Sequence, residues 1–71
     1  MIGIHDYVAI LIDMENTPVT RGTTGTVVSK LSETHFLIEF SDNEGQVYEQ
    51  LPIHKNNLLV LHQITENLEV P

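Results

Sequence analysis

The chain has few residues that could do chemistry: four histidines and ten acidic residues, with no cysteine. The histidines are His5, His35, His54 and His62. Zinc-binding histidines commonly recur at short fixed spacings, which these four do not follow. Whether His5 and His62 meet, together with Asp6, depends on how the first and last predicted strands are placed, and the sequence leaves this open. We interpret them as solvated residues, with a metal protein as the weaker alternative, and predict no metal and no cofactor.

The carboxylate with the best-defined surroundings is Glu39, which lies between two apolar residues of one predicted strand. Strand alternation should point it away from the face that Ile38 and Phe40 bury. We expect Glu49 or Lys30 beside it on a neighbouring strand. Glu39 is then either a carboxylate on a binding face or a solvated cross-strand charge of small energetic value. No second group completes a catalytic pair, so we predict that the protein is not an enzyme.

The charge balance limits the partners. Ten acidic residues against Arg21, Lys30 and Lys55 give a formal net charge of −7 and an isoelectric point near 4.7. Nucleic-acid binding relies on lysine and arginine, and anionic membranes attract the same residues, so neither partner is expected. A basic protein is favoured, because opposite charge speeds association. Without cysteine, a signal-like start or a long apolar run, the cytoplasm is the expected compartment.

Five runs of β-branched and aromatic residues, bounded by turn formers, predict strands at 7–12, 26–31, 35–40, 46–51 and 58–62. The clearest has Phe36, Ile38 and Phe40 at every second position, which predicts core residues. Pro52 should end the fourth strand, with a short turn over 53–57 that includes one 3₁₀ turn. The glycines Gly22, Gly25 and Gly45 are expected in turns. We predict an all-β fold.

Four segments together resemble a known family: DYVAIL at 6–11, RGTTGTVV at 21–28, IEF at 38–40 and NLLVL at 57–61. Their order and spacing are similar to the bacterial family named domain of unknown function 4926, common in cyanobacteria. The resemblance implies a single small five-stranded SH3-like barrel over residues 5–62. His5 departs from the pattern, since glycine usually precedes the aspartate.

More distantly, the layout is similar to the SH3-like accessory subunits of photosynthetic electron transport. Those subunits dock acidic ferredoxin through lysine and arginine, whereas this chain carries the opposite charge. We expect one domain over 1–71, with a C-terminal tail at 63–71. Edge strands and the apolar tail residues Ile64, Leu68 and Val70 are compatible with a homodimer.

The partner surface is expected in two places. The loop over 13–20 is the longest irregular stretch, and loops of this length commonly carry binding residues. Strand residues with exposed carboxylates or a tyrosine supply the second place. The predicted contact residues are Asp13, Met14, Glu15, Val19, Glu39, Tyr48 and Glu49.

The leading hypothesis is a small acidic protein-binding module that neutralises a basic partner, as an immunity protein or antitoxin does. Its basis is the acidic charge, the small size and the lack of residues for catalysis. The alternative is a non-catalytic accessory subunit of an electron-transfer or other multi-subunit complex, which rests on the resemblance in fold.

Overall fold

The computed structural model describes residues 2–61 of the chain. They form one antiparallel sheet, with a single 3₁₀ turn at Lys55–Asn57. Within this part of the chain no helix is long and apolar enough to cross a membrane. The strands are β1 (Tyr7–Ile10), β2 (Thr24–Lys30), β3 (His35–Ser41), β4 (Val47–His54) and β5 (Leu58–Val60). The prediction of an all-β fold with five strands is confirmed.

The strands are arranged in the order β4-β3-β2-β1-β5, so β4 and β5 form the two edges. Between residues 2 and 61 the sheet is not closed by pairing of these edges, and barrel closure is therefore not confirmed. The long strand β2 pairs with β1 through its first residues and with β3 through the rest. Its register with β3 shifts between Val27 and Ser29, which marks a bulge at Val28. Bulges bend a strand and increase its twist.

One face of the sheet, the inner face, carries the hydrophobic core. Alternate residues of each strand point to it, because side chains of a strand alternate between faces. Phe36, Ile38 and Phe40 are all buried there, as predicted. The other buried residues are Val8, Ile10, Val19, Val27, Ile53 and Leu58. The inner face is thus uniformly apolar at its centre.

Strand β1 is shorter than predicted. It ends at Ile10, whereas the apolar run predicts a strand to Ile12, and Ile12 is exposed. The carbonyl of Ile10 accepts a 2.7 Å hydrogen bond from the backbone N–H of Gly22, so the last residue of β1 is bonded to the turn before β2. The loop that follows β1 therefore starts two residues earlier than the apolar run indicates. The last strand also differs, since β5 ends at Val60, and His62 and the tail 63–71 lie outside the described residues.

The prediction that Pro52 ends the fourth strand is wrong, because β4 continues through it to His54. The amide of Lys55 bonds to the carbonyl of Thr34 at 2.7 Å, just outside the His35–His54 pair. Thr34 and Lys55 are therefore a hydrogen-bonded pair. Bonded and non-bonded pairs alternate along an antiparallel ladder, so the next pair, His35–His54, is non-bonded, and so is Leu37–Pro52 two residues further. The nitrogen of Pro52 therefore faces the free edge, where no ladder bond is lost.

Gly25 was expected in a turn, and it lies instead within β2, buried on the inner face opposite Val8. A Cβ atom there would lie 2.8 Å from the carbonyl oxygen of Glu39 and 2.9 Å from Cδ1 of Phe40. The position therefore requires glycine because β3 approaches too closely for a side chain. Gly22 and Gly45 do lie in turns, each with a positive φ.

Candidate functional site

The outer face of the sheet, opposite the core, is exposed and carries several side chains in one row. Directly opposite residues of antiparallel strands share a face, so the strand register defines the row. It crosses four strands: Tyr7, Thr26, Glu39 and Gln50. This row divides into an apolar end at β1 and a polar end at β4.

The apolar end continues onto β5. Ala9 pairs with Leu59, and the amide of Leu61 bonds to the carbonyl of Tyr7 at 2.8 Å. At the other end of β1 the amide of Leu11 bonds to the carbonyl of Asn57 at 3.0 Å. These contacts bring together five uncharged residues of β1, of β5 and of the position that follows each strand. We name Tyr7, Ala9, Leu11, Leu59 and Leu61 the β1–β5 patch.

Three patch residues, Tyr7, Leu11 and Leu59, are exposed to solvent, and Ala9 and Leu61 are half-buried. Tyr7 is 50% exposed and Leu59 is 51% exposed. The Tyr7 hydroxyl lies 2.8 Å from the hydroxyl oxygen of Thr24, a contact that orients the ring. Large apolar side chains that adjoin one another on an open sheet face are typical of a docking surface.

The polar end of the row is built around Glu39. Its carboxylate accepts a 3.0 Å hydrogen bond from the side-chain amide of Gln50, its partner on β4. On β2 its partner is Thr26. The expected neighbours are therefore wrong: Lys30 pairs with Phe36, and Glu49 pairs with Phe40. Since Phe40 is a core residue, Glu49 lies on the inner side, and Glu39 and Glu49 do not share a surface.

The loop between β1 and β2 is tethered. The amide of Met14 bonds to the carbonyl of Val19 at 3.0 Å, and the amide of Arg21 bonds to the Asp13 carboxylate at 2.9 Å. Val19 is fully buried with the core, and Met14 packs against that core. Val19 therefore cannot take part in a surface contact, for which we predicted it. Asp13 and Glu15 are exposed.

Tyr48 lies at a shift in register between β3 and β4, where Phe40 pairs with Glu49 and Ser41 pairs with Val47. It is exposed, and its ring centre lies 6.5 Å from that of Phe40. This spacing is within the range of packed aromatic pairs. Tyr48 is on β4 and Tyr7 is on β1, so the two tyrosines belong to separate parts of the sheet.

None of the residues of the β1–β5 patch is among the contact residues predicted from the sequence. The signal was present in part, because alternation along the first strand places Tyr7, Ala9 and Leu11 on one face. The sequence alone does not show that β5 pairs with β1, and this pairing adds Leu59 to that face.

No group of three or more histidine, aspartate or glutamate side chains within residues 2–61 could hold a metal ion. His5 is exposed, with a positive φ of 78°. His62, whose proximity to His5 the sequence left open, lies outside the part of the chain that the structure describes. His35 and His54 do meet, with ring centres 5.1 Å apart, on paired positions of β3 and β4.

The fold and the exposed face together define a small all-β domain with an open antiparallel sheet. The model of one family, described as a domain of unknown function (DUF4926), matches residues 4–60. The chain belongs to this family. No curated protein and no solved structure matches it.

Proposed function

We propose that the chain is a small acidic protein-binding module, which binds a basic protein through the β1–β5 patch. The observation that carries this proposal is the patch itself: exposed Tyr7, Leu11 and Leu59 adjoin half-buried Ala9 and Leu61 on the outer face of a chain with a formal net charge of −7. A small domain gains stability by burying such residues, so their exposure favours a role in binding.

The chemistry around the patch supports a basic partner. Asp13 and Glu15, both exposed, follow Leu11 closely in the chain, and Glu39 lies in the same outer row as Tyr7. Protein interfaces commonly combine an apolar centre with a polar rim, and tyrosine is enriched among the residues that dominate binding energy. An acidic rim attracts a basic surface and increases the association rate.

The first experiment isolates the intact chain with its bound proteins from its native cells, at low and at high salt. We expect one basic protein that is released at high salt, because screening weakens attraction between exposed charges. If that protein is an enzyme or toxin that loses its activity in the complex, the neutralising role is supported. Recovery within a redox complex would favour the accessory-subunit alternative, and recovery of acidic partners only would contradict a basic partner.

The second experiment tests the surface, with the isolated partner and purified variants. Leu59→Ser should weaken binding by about tenfold or more, as expected for a residue at the centre of an interface. Leu31→Ser is the matched control, since Leu31 lies outside the patch and is exposed to the same 51%. Binding is measured by titration calorimetry. Equal losses for the two variants, or no loss for Leu59→Ser, would rule out the β1–β5 patch.

We also infer that the sheet is related to the SH3-like barrels. The support is the order of the strands, the short 3₁₀ turn between β4 and β5, and the bulge in β2, the strand shared by β1 and β3. An experimental structure in which β2 bends at Val28, so that β1 and β5 cross over β3 and β4, is the expected result. A flat sheet would contradict the relationship.

A further inference from the structure

A cavity on another part of the molecule is distinct from the β1–β5 patch. It has a volume of about 410 Å³ and opens to solvent. It is formed where the segment before β1, the end of β2, the start of β3 and the 3₁₀ turn come together. Its lining residues are Ile2, Lys30, Glu33, Phe36, Lys55 and Asn56.

The floor of the cavity is apolar. Phe36 is a core residue that remains slightly exposed, and Ile2 packs against the core. The segment that carries Ile2 is held in place by two hydrogen bonds. The amide of His5 bonds to the carbonyl of Val27 at 2.7 Å, and that of Gly3 bonds to the Asp6 carboxylate at 2.8 Å. The cavity therefore has a floor that can contact the apolar part of a ligand.

The rim of the cavity is cationic, in contrast to the rest of the chain. Lys30 and Lys55 are two of only three lysine and arginine residues in the sequence. Lys30 lies directly opposite Phe36 in the register of β2 and β3. Lys55 is anchored through its amide, which bonds to the carbonyl of Thr34 at 2.7 Å. The backbone positions of both lysines are therefore fixed beside the opening of the cavity.

One carboxylate also lines the cavity. Glu33 lies 3.8 Å from the Lys30 ammonium, but its side chain is 93% exposed. An ion pair this long and this exposed contributes little and exchanges readily with solvent. An incoming anion can therefore displace Glu33 from Lys30. Asn56 adds an uncharged hydrogen-bonding side chain at the same rim.

We propose that this cavity binds a small organic anion, with its anionic head between Lys30 and Lys55 and its apolar body on Ile2 and Phe36. The cations supply charge-assisted hydrogen bonds, and the floor supplies apolar contact. This proposal does not depend on the protein-binding function, because the two sites share no residue.

The test uses two fluorescent probes of similar shape with the full-length chain: anilinonaphthalene sulfonate, which is anionic, and N-phenylnaphthylamine, which is uncharged. We expect the anionic probe to bind the native chain more tightly. Amide NMR spectra should show shifts at Lys30, Phe36 and Asn56. Shifts confined to Tyr7 and Leu59 would place the probe on the β1–β5 patch and overturn the proposal.

Charge variants then test the rim. The double variant Lys30→Gln/Lys55→Gln should weaken binding of the sulfonate by about fivefold and leave the uncharged probe unaffected. Arg21→Gln/Lys55→Gln keeps the same net charge but retains Lys30, so it should lose less. Equal losses for the two double variants would show a general effect of net charge and overturn the site.

Glu33→Gln gives a test of opposite sign. Removal of the competing carboxylate should strengthen sulfonate binding by about twofold, whereas Glu44→Gln, a change of the same charge in the β3–β4 turn, should have a smaller effect. Weaker binding by Glu33→Gln would contradict the proposed geometry. Circular dichroism of each variant verifies that the fold is retained.

Discussion

The two faces of the sheet are made from the same strands and differ in nearly every property. In β5, Leu58 is 8% exposed on the inner face, and the next residue, Leu59, is 51% exposed on the outer face. In β3, Glu39 points to the outer face, and its neighbours in sequence, Ile38 and Phe40, are buried on the inner face. The difference shows that residue type alone does not separate stability from binding. Two leucines next to each other in β5 lie on different faces, one in the core and one in the patch that we propose for binding.

The sharpest test of this comparison uses those two leucines. Leu58→Ala should lower the free energy of unfolding by about 2–4 kcal/mol, because it leaves a cavity in the core. That is a large part of the about 4–11 kcal/mol expected for a domain of this size. Leu59→Ala should change it by only about 0.5 kcal/mol. Urea unfolding followed by circular dichroism measures both, and similar losses would refute the division between the faces.

A second prediction concerns Gly25, a position of β2 on the inner face that has no side chain. Gly25→Ala should destabilise the fold by about 1–3 kcal/mol, because the added methyl group would press on the backbone of β3 and on Phe40. Gly3→Ala is the control, since its Cβ would lie 3.7 Å from the nearest atom, on Asp6, at an ordinary contact distance. The midpoints of thermal unfolding compare them. An unchanged midpoint for Gly25→Ala would mean that β2 and β3 are further apart.

The smallest effect is expected on the outer face, at the hydrogen bond between Gln50 and Glu39. A double-mutant cycle with Gln50→Ala and Glu39→Ala should give a coupling of about 0.2–1 kcal/mol, typical of an exposed cross-strand pair. Urea unfolding of the four proteins measures it. A coupling free energy above this range would mean that contacts on the outer face also contribute substantially to the stability of the fold.

Much of the inner face could be predicted from the sequence. Phe36, Ile38 and Phe40 repeat at every second position, and this periodicity depends only on local backbone geometry. The errors lie where a distant strand decides the outcome. Gly25 looks like a turn residue until β3 is placed against it, and Pro52 looks like a strand end until β4 is known to be an edge.

The candidate site was less predictable for the same reason. Glu39 was correctly placed on the outer face from alternation, but its neighbours depend on the register of three strands. Val19 was assigned to the surface because its loop lacks periodicity, and a single apolar residue that folds back into the core leaves no local pattern. The β1–β5 patch needs the contact between the first and last strands, which are far apart in sequence.

Pro52 has a consequence for the behaviour of the protein at high concentration. An unpaired edge strand is a template on which other chains can add strands, and this process leads to aggregation. At β4 Pro52 has no backbone N–H to donate to an incoming strand, so the free edge is interrupted at the sixth of its eight residues. The edge of the longest strand is thereby protected from edge-to-edge growth, and within residues 2–61 the opposite edge is the three-residue strand β5.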